Sequence, residues 1–311
     1  MKRNARPALG EGLGHVGHLG VRYDLLRRLG GGPFGDVHVA RAVGEGLDRL
    51  VCIKRLAGTV EPEHADALRE EARLLASVRH ANVVSLLAFG EDRHAGPFLV
   101  LELVDGLDLR TLSSGLLPDD RLADGVAVHI ACALLRALSA VQGSLPGLVH
   151  RDVTPHNILL SSHGEVMLGD FGIALARDRT RWTRPLYVKG KLGYMAPEQI
   201  LGRDLDERTD LFAVGVVLYE LLAGERPWGP IRGVREMKAV VDLPPVSLLA
   251  RRPRLDRALA VVAERLFARD PARRFACPDE ALRALAPFGA GELGSLRLAS
   301  MVSRVRTMSM S

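Results

Sequence analysis

The chain has 311 residues, 47% of them apolar, enough to bury a full core in one large domain or in two lobes sharing a cleft. Its 42 basic residues against 37 acidic ones leave a net charge of +5 spread along the sequence, an ordinary solvated surface that implies no nucleic-acid partner. Cys52, Cys132 and Cys277 stand apart without CxxC pairs, so neither a zinc site nor a disulfide framework is indicated, and no run of about eighteen apolar residues suggests a membrane span.

Residues 1–20 are rich in Gly, lack periodicity and read as a flexible leader without the pattern of a signal peptide. Residues 23–29, 34–40 and 50–55 are short strand-like runs bounded by glycines. In residues 63–78, Leu68, Ala72, Leu75 and Val78 recur at helical spacing, and further strands are predicted over 83–89 and 98–102. This describes a small five-stranded β lobe with one main helix, residues 21–103. Beyond a short connector over 102–108, apolar stripes at 122–141, 210–222 and 257–267 predict a larger, mostly α lobe reaching residue 288. The tail, 289–311, mixes Gly, Ser, Met and Arg without a sustained apolar face. The predicted fold class is therefore α+β and bilobal, with a cleft between the lobes.

Three places in the β lobe carry candidate chemistry. Gly30, Gly32 and Gly35, followed by Val37, have GxGxxGxV spacing between two predicted strands, where backbone can approach phosphates closely. The strand-turn-strand context speaks against a dinucleotide fold, which needs a helix there. Lys54 ends the strand Val51-Cys52-Ile53-Lys54 and is one of only five lysines, with Lys2, Lys189, Lys191 and Lys238. Glu71 falls on the inward stripe of the following helix, where an acid needs a cation; the alternative is a solvated helix acid like Glu70.

The strongest signal is His150-Arg151-Asp152-Val153-Thr154-Pro155-His156-Asn157, then Asp170-Phe171-Gly172, then Ala196-Pro197-Glu198, in that order. With the Gly loop and Lys54 these make the chain resemble the protein kinase family over about residues 21–288. The arginine bias and the wording of the loop are similar to bacterial kinases of the eukaryotic type. The resemblance extends to Asp210 and the residues after it, which look like the family's buried helix start, and to Arg274, which should pair with Glu198.

The resemblance implies a serine/threonine protein kinase that moves the terminal phosphoryl group of ATP onto protein hydroxyls, with autophosphorylation, in a bacterial cytosol. Asp152 would orient the acceptor hydroxyl and take its proton. Asn157 and Asp170 would hold Mg²⁺, with Mn²⁺ as a substitute, and Lys54, fixed by Glu71, would hold the α and β phosphates. Leu101 would guard the back of the adenine pocket, while Glu102, Leu103 and Val104 would offer backbone hydrogen bonds to adenine. Asp108 stands where the family often has an acid for the ribose hydroxyls, and it reads equally as a helix N-terminal acid. Pro155 is typical of loops directed at Ser and Thr. Thr180 and Thr183 are candidate phosphorylation sites whose phosphate Arg151 would bind, with Tyr187 close to the family's usual position. The alternatives are a pseudokinase or nucleotide-binding scaffold, which intact Lys54, Asp152 and Asp170 disfavour, and a small-molecule kinase, which would lack Ala196-Pro197-Glu198.

One departure stands out. The family's Ser/Thr-type loop carries Lys two residues after the Asp, where this chain has Thr154, and Lys191 occupies the place where the family usually has Thr. The two residues look exchanged, which would return a cation to the site from the other side. The substrate, the activating signal and the oligomeric state are left open by the sequence.

Overall fold

The computed structural model describes residues 14–32, 35–56, 62–92, 96–116, 122–170, 191–231 and 233–309. These form two compact units, one of residues up to 76 together with 85–103, the other of 77–84 together with 104–311. Pro33, Phe34, Phe171, Gly172, Thr180, Thr183, Tyr187 and Lys189 lie outside the described residues.

The first unit is an antiparallel sheet with one helix. Its strands are β1 (His15–His18), β2 (Val21–Gly32), β3 (Gly35–Gly44), β4 (Leu47–Arg55), β5 (Leu86–Asp92) and β6 (Gly96–Leu101), in spatial order β1-β2-β3-β4-β6-β5. Alternation sends Ala40, Ala42, Val51, Ile53, Phe98 and Val100 to one face, where they pack with Val16, Tyr23 and Leu25 as a closed cluster. Tyr23 and Phe98 meet edge to face at 5.8 Å. The helix α1 (Pro62–Ser77) buries Ala65, Leu68, Glu71, Ala72 and Leu75.

The sixth strand corrects the expected five-stranded lobe and the expected leader. Residues 15–18 pair with β2, Val16 opposite Tyr23, and Val16 is fully buried. Val16 is the one buried residue of this run, which is too short to show alternation between its glycines.

The second unit holds a three-stranded sheet, β7 (Gly106–Asp108), β8 (Ile158–Ser161) and β9 (Val166–Leu168), in that order. Its helices are α2 (Leu109–Gly115), α3 (Asp124–Ser144), α4 (Pro197–Ile200), α5 (Arg208–Ala223), α6 (Val234–Asp242), α7 (Leu248–Arg251), α8 (Arg257–Leu266), α9 (Pro278–Leu285) and α10 (Glu292–Ser309). α5 is buried nearly all round, so it lacks a polar face, and Gly224 ends it with a left-handed φ of 81°. α3 is long and apolar enough to cross a membrane by composition, but most of it is buried inside this unit, which accounts for its apolar character.

α10 corrects the expectation of an unpatterned tail. Leu298, Val302 and Val305 recur at helical spacing and are buried against a surface that includes α2, α3, β7 and β8. Leu293 and Leu296 are exposed, and this scatter of apolar residues on both faces hides the buried stripe in the sequence.

The expected Glu198 and Arg274 pair is present and dry. Both guanidinium ends meet the carboxylate, at 2.6 and 2.8 Å, and Arg274 also donates to the carbonyls of Ala268, Arg208 and Arg269. Removing one partner would strand a buried charge, so Arg274→Ala is expected to cost about 3–5 kcal/mol of stability in denaturant unfolding. A loss below about 1 kcal/mol would mean that the pair contributes little to holding this unit together.

Candidate active site

In the first unit, strand register lines up Val37, Lys54 and Leu99, with Val39, Cys52 and Leu101 in the next row. All six therefore point to the face opposite the core cluster. Lys54 Nζ donates to both oxygens of Glu71, at 2.7 and 2.8 Å, and Glu71 is buried, so its charge is met as the helical stripe requires. Beside Lys54, burial pushes the Cys52 thiol up to about 11, which leaves it a packed, protonated side chain.

The glycine hairpin pairs Gly30 with Val37 and Gly32 with Gly35. A Cβ on Gly35 would lie 2.2 Å from the Arg55 carbonyl, so packing alone demands glycine there. A Cβ on Gly30 would meet nothing within 4 Å, and the described residues give no packing reason for that glycine. In the connector, the Glu102 N–H is engaged by the Ser85 carbonyl at 3.0 Å and the Glu102 carboxylate accepts the Ser85 N–H at 2.7 Å. The carbonyl of Glu102 and the backbone of Leu103 and Val104 are the groups that could face a base. Asp108 caps α2, its two oxygens bonding the N–H and hydroxyl of Thr111 at 2.7 and 3.0 Å. Of its two sequence readings, the helix cap is the one with contacts behind it.

The second unit holds Asp152, Thr154, Asn157, Asp170 and Lys191. Asp210, in the first turn of α5, accepts the backbone N–H of His150 at 2.7 Å and of Arg151 at 2.8 Å. Burial pushes its carboxyl up to about 7, against the lowering pull of those two donors. Arg151 takes a left-handed φ of 66°, a costly conformation for a residue with a side chain. The loop then turns so that the Asp152 N–H donates to His150 Nδ1 at 3.3 Å. An accepting Nδ1 places the ring proton on Nε2, and full burial agrees, pushing the imidazole down to about 4.

Asn157 closes the loop through Nδ2 to the Asp152 carbonyl at 2.9 Å, and its own carbonyl accepts the Gly169 N–H at 2.9 Å. The catalytic loop is thereby tied to the turn carrying Asp170, itself left-handed at φ 55° and exposed. The Asp152 side chain is 4% exposed; its Oδ2 forms an ion pair with the Lys191 ammonium, while Oδ1 is buried with no partner among the described residues. Burial holds this carboxyl above its ordinary range, and Lys191 opposes the rise. Thr154 is buried beside them, lining the same concavity as Asp152 and Lys191.

Two contacts were not legible beforehand. Gln199 accepts the Ala196 N–H at 3.0 Å and donates to the Arg151 carbonyl at 3.3 Å, strapping α4 to the catalytic loop. Tyr194 donates its hydroxyl to Glu220, with Arg226 lying 5.5 Å over its ring. The Gln199 bond to Arg151 and the Tyr194 bond to Glu220 belong to no spacing pattern, because each joins residues distant along the chain.

The sequence profile of the protein kinase domain matches residues 23–284. The chain belongs to the protein kinase family. Among its relatives, the tyrosine-protein kinase MasK of Myxococcus xanthus is 33% identical over 86% of this chain and 43% of MasK. The serine/threonine-protein kinase PksC of Streptomyces coelicolor is 35% identical over 87% of this chain and 50% of PksC. PknA of Mycobacterium tuberculosis, also a serine/threonine-protein kinase, is 34% identical over 88% of this chain and 62% of PknA. The chain thus spans about half the length of these relatives. The crystal structure of the M. tuberculosis PknI kinase domain superposes with a TM-score of 0.65 at 27% identity, covering 91% of this chain and all of that domain.

The buried His150 yields a pH signature for this kinase-family chain. Its folded pKa, about 4, lies below the ordinary 6.5, so the unfolded chain binds a proton that the folded one refuses. His150 therefore contributes stability that is present above about 6.5 and lost as pH falls towards about 4. His150→Asn, which keeps an acceptor for the Asp152 N–H, is expected to show a shallower loss in urea titrations across that window. Identical slopes for the two proteins would contradict a neutral buried His150.

Proposed function

We propose that this chain is an ATP-dependent serine/threonine protein kinase that also phosphorylates itself. The observation that carries the reading is Asp152, a buried carboxylate whose loop is pinned by Asp210, with Oδ1 unpartnered among the described residues and Asn157 and Asp170 tied to the same loop. The acceptor hydroxyl would give its proton to that carboxylate as its oxygen bonds to the terminal phosphorus and the bond to the ADP oxygen breaks. Phosphoryl transfer asks mainly for positioning and charge neutralisation, and a fixed loop supplies the first.

The donor set suits a divalent metal. Asn157 spends its Nδ2 on the Asp152 carbonyl, which leaves an oxygen to ligate, and Asp170 adds a carboxylate. No cluster of three or more His, Cys, Asp or Glu ligands exists among the described residues, and one or two oxygen ligands completed by substrate phosphates is how Mg²⁺ is commonly held. Asn157 and Asp170 would hold it, and when bound it neutralises charge on the phosphates. Mn²⁺ would serve the same ligands. Lys54, oriented by Glu71, would bind the α and β phosphates; Gly30, Gly32, Gly35 and Val37 would border them. The Glu102 carbonyl and the Leu103 and Val104 backbone would meet adenine, and the acceptor sites of Asp108 that Thr111 does not use would be offered to the ribose hydroxyls.

Intact Lys54, Asp152 and Asp170 favour turnover over a scaffold role. Ser/Thr preference rests on Pro155 and on the names of PksC and PknA; MasK, named a tyrosine kinase, makes it worth measuring. A cytosolic setting is supported by the demand for ATP and by three free cysteines.

With radiolabelled ATP, Mg²⁺ and a generic basic protein, the wild type is expected to yield phosphoserine and phosphothreonine, and Asp170→Ala to lose at least about a hundredfold in rate. Products that are mainly phosphotyrosine would overturn the hydroxyl assignment. Equal label with and without Asp170 would overturn the enzyme assignment.

A further inference from the structure

Lys191 holds a position that the proposed reaction does not yet use. Its ammonium pairs with Asp152 Oδ2, yet its side chain remains 32% exposed where that of Asp152 is 4% exposed. An ammonium has three donors, so pairing with one carboxylate oxygen leaves capacity for further acceptors. The contact is also held from the backbone. The Tyr194 N–H donates to the Lys191 carbonyl at 3.0 Å, and Gln199 straps the Ala196 N–H to the Arg151 carbonyl, so the segment carrying Lys191 and the loop carrying Asp152 are cross-tied.

The local charge inventory calls for such a cation. Asp152 and Asp170 are carboxylates that bear on one another beside this loop, and His150 is neutral in its buried site, so it adds no charge. Lys54 sits with Glu71 in the other unit. A terminal phosphate arriving beside Asp152 meets like charge, and two residues on, where a loop lysine would answer it, stands the uncharged, buried Thr154. Lys191 and Thr154 line the same concavity as Asp152.

We propose that Lys191 is a catalytic residue, its ammonium bridging Asp152 and the terminal phosphoryl group of ATP, with Thr154 filling the place that a loop lysine would otherwise take. This rests on the kinase reading above. As transfer proceeds, charge spreads over the equatorial oxygens of the phosphoryl group, and a cation already fixed by Asp152 stabilises it without reorganising. Because the contact is made to the terminal phosphate alone, Lys191 distinguishes ATP from ADP.

The test measures turnover, nucleotide binding and thermal melting on the full chain. Lys191→Met is expected to lower kcat by about tenfold to a thousandfold with a smaller change in KM for ATP. By calorimetry it should weaken a nonhydrolysable ATP analogue severalfold more than ADP, a readout that a purely structural ion pair would leave unmoved. Lys191→Arg, which keeps the cation, should retain more of both. Lys191→Thr should be as damaging as Lys191→Met, and Thr154→Lys combined with Lys191→Thr should recover part of the loss. Near-normal turnover by Lys191→Met, an equal effect on the ATP analogue and ADP, or strictly additive losses in the exchange pair would overturn the proposal. If Lys191→Met fails to fold, Lys191→Arg and the exchange pair decide it by the same ratios. Absence of phosphotransfer by the wild type would count against the kinase reading instead, and the ATP-to-ADP binding ratio would still judge Lys191.

Discussion

The carboxylate of Asp210, taken out of water at the start of α5, receives the backbone N–H groups of His150 and Arg151, and the geometry of the catalytic loop depends on that contact. The two bonds hold Arg151 in a left-handed conformation that a free loop would abandon. The turn that results places Asp152 in the interior beside Lys191. The same turn of α5 supports the end of the neighbouring segment: Thr209 donates to Glu198, the Arg208 carbonyl accepts Arg274, and the Phe212 ring lies 5.0 Å beneath the Arg274 guanidinium. One buried helix end thus contacts both the loop that bears Asp152 and the segment that bears Lys191.

Charge in the site follows a rule of pairing. An isolated buried acid is costly, and each one here is answered: Glu71 by Lys54, Glu198 by Arg274, Asp210 by two N–H donors, Asp152 by Lys191. Asp152 differs in that the answer covers only Oδ2. Burial holds the Asp152 carboxyl above its ordinary range, and Lys191 opposes the rise. His150, neutral throughout the working range, supports the Asp152 backbone as an acceptor and does not compete for the proton.

The chemistry was legible because its residues crowd into short runs. Asp152, Thr154 and Asn157 fall within one loop, Asp170 lies in a single turn, and Lys54 lies on a strand whose alternation already separates it from Ile53. The Lys54 and Glu71 pair could be argued from helical phase, and the Glu198 and Arg274 pair from resemblance. Less legible were features made of single inward residues or of distant partners. β1 offers Val16 alone, α10 hides three buried residues among exposed leucines, and Gln199 joins α4 to a carbonyl 48 residues away. Asp108 was ambiguous in sequence because an acid at a helix start serves a cap or a ligand equally well; the Thr111 contacts establish the cap and leave the ligand role untested.

The proposed reaction needs Asn157 and Asp170 to hold a metal-bound nucleotide beside Asp152. Anomalous diffraction from crystals of the full chain grown with Mn²⁺ and a nonhydrolysable ATP analogue tests this. A manganese peak is expected within about 2.0–2.5 Å of Asn157 Oδ1 and an Asp170 oxygen, beside the phosphates of the analogue. A bound nucleotide whose metal lies away from both residues, or no binding at millimolar concentrations, would contradict it.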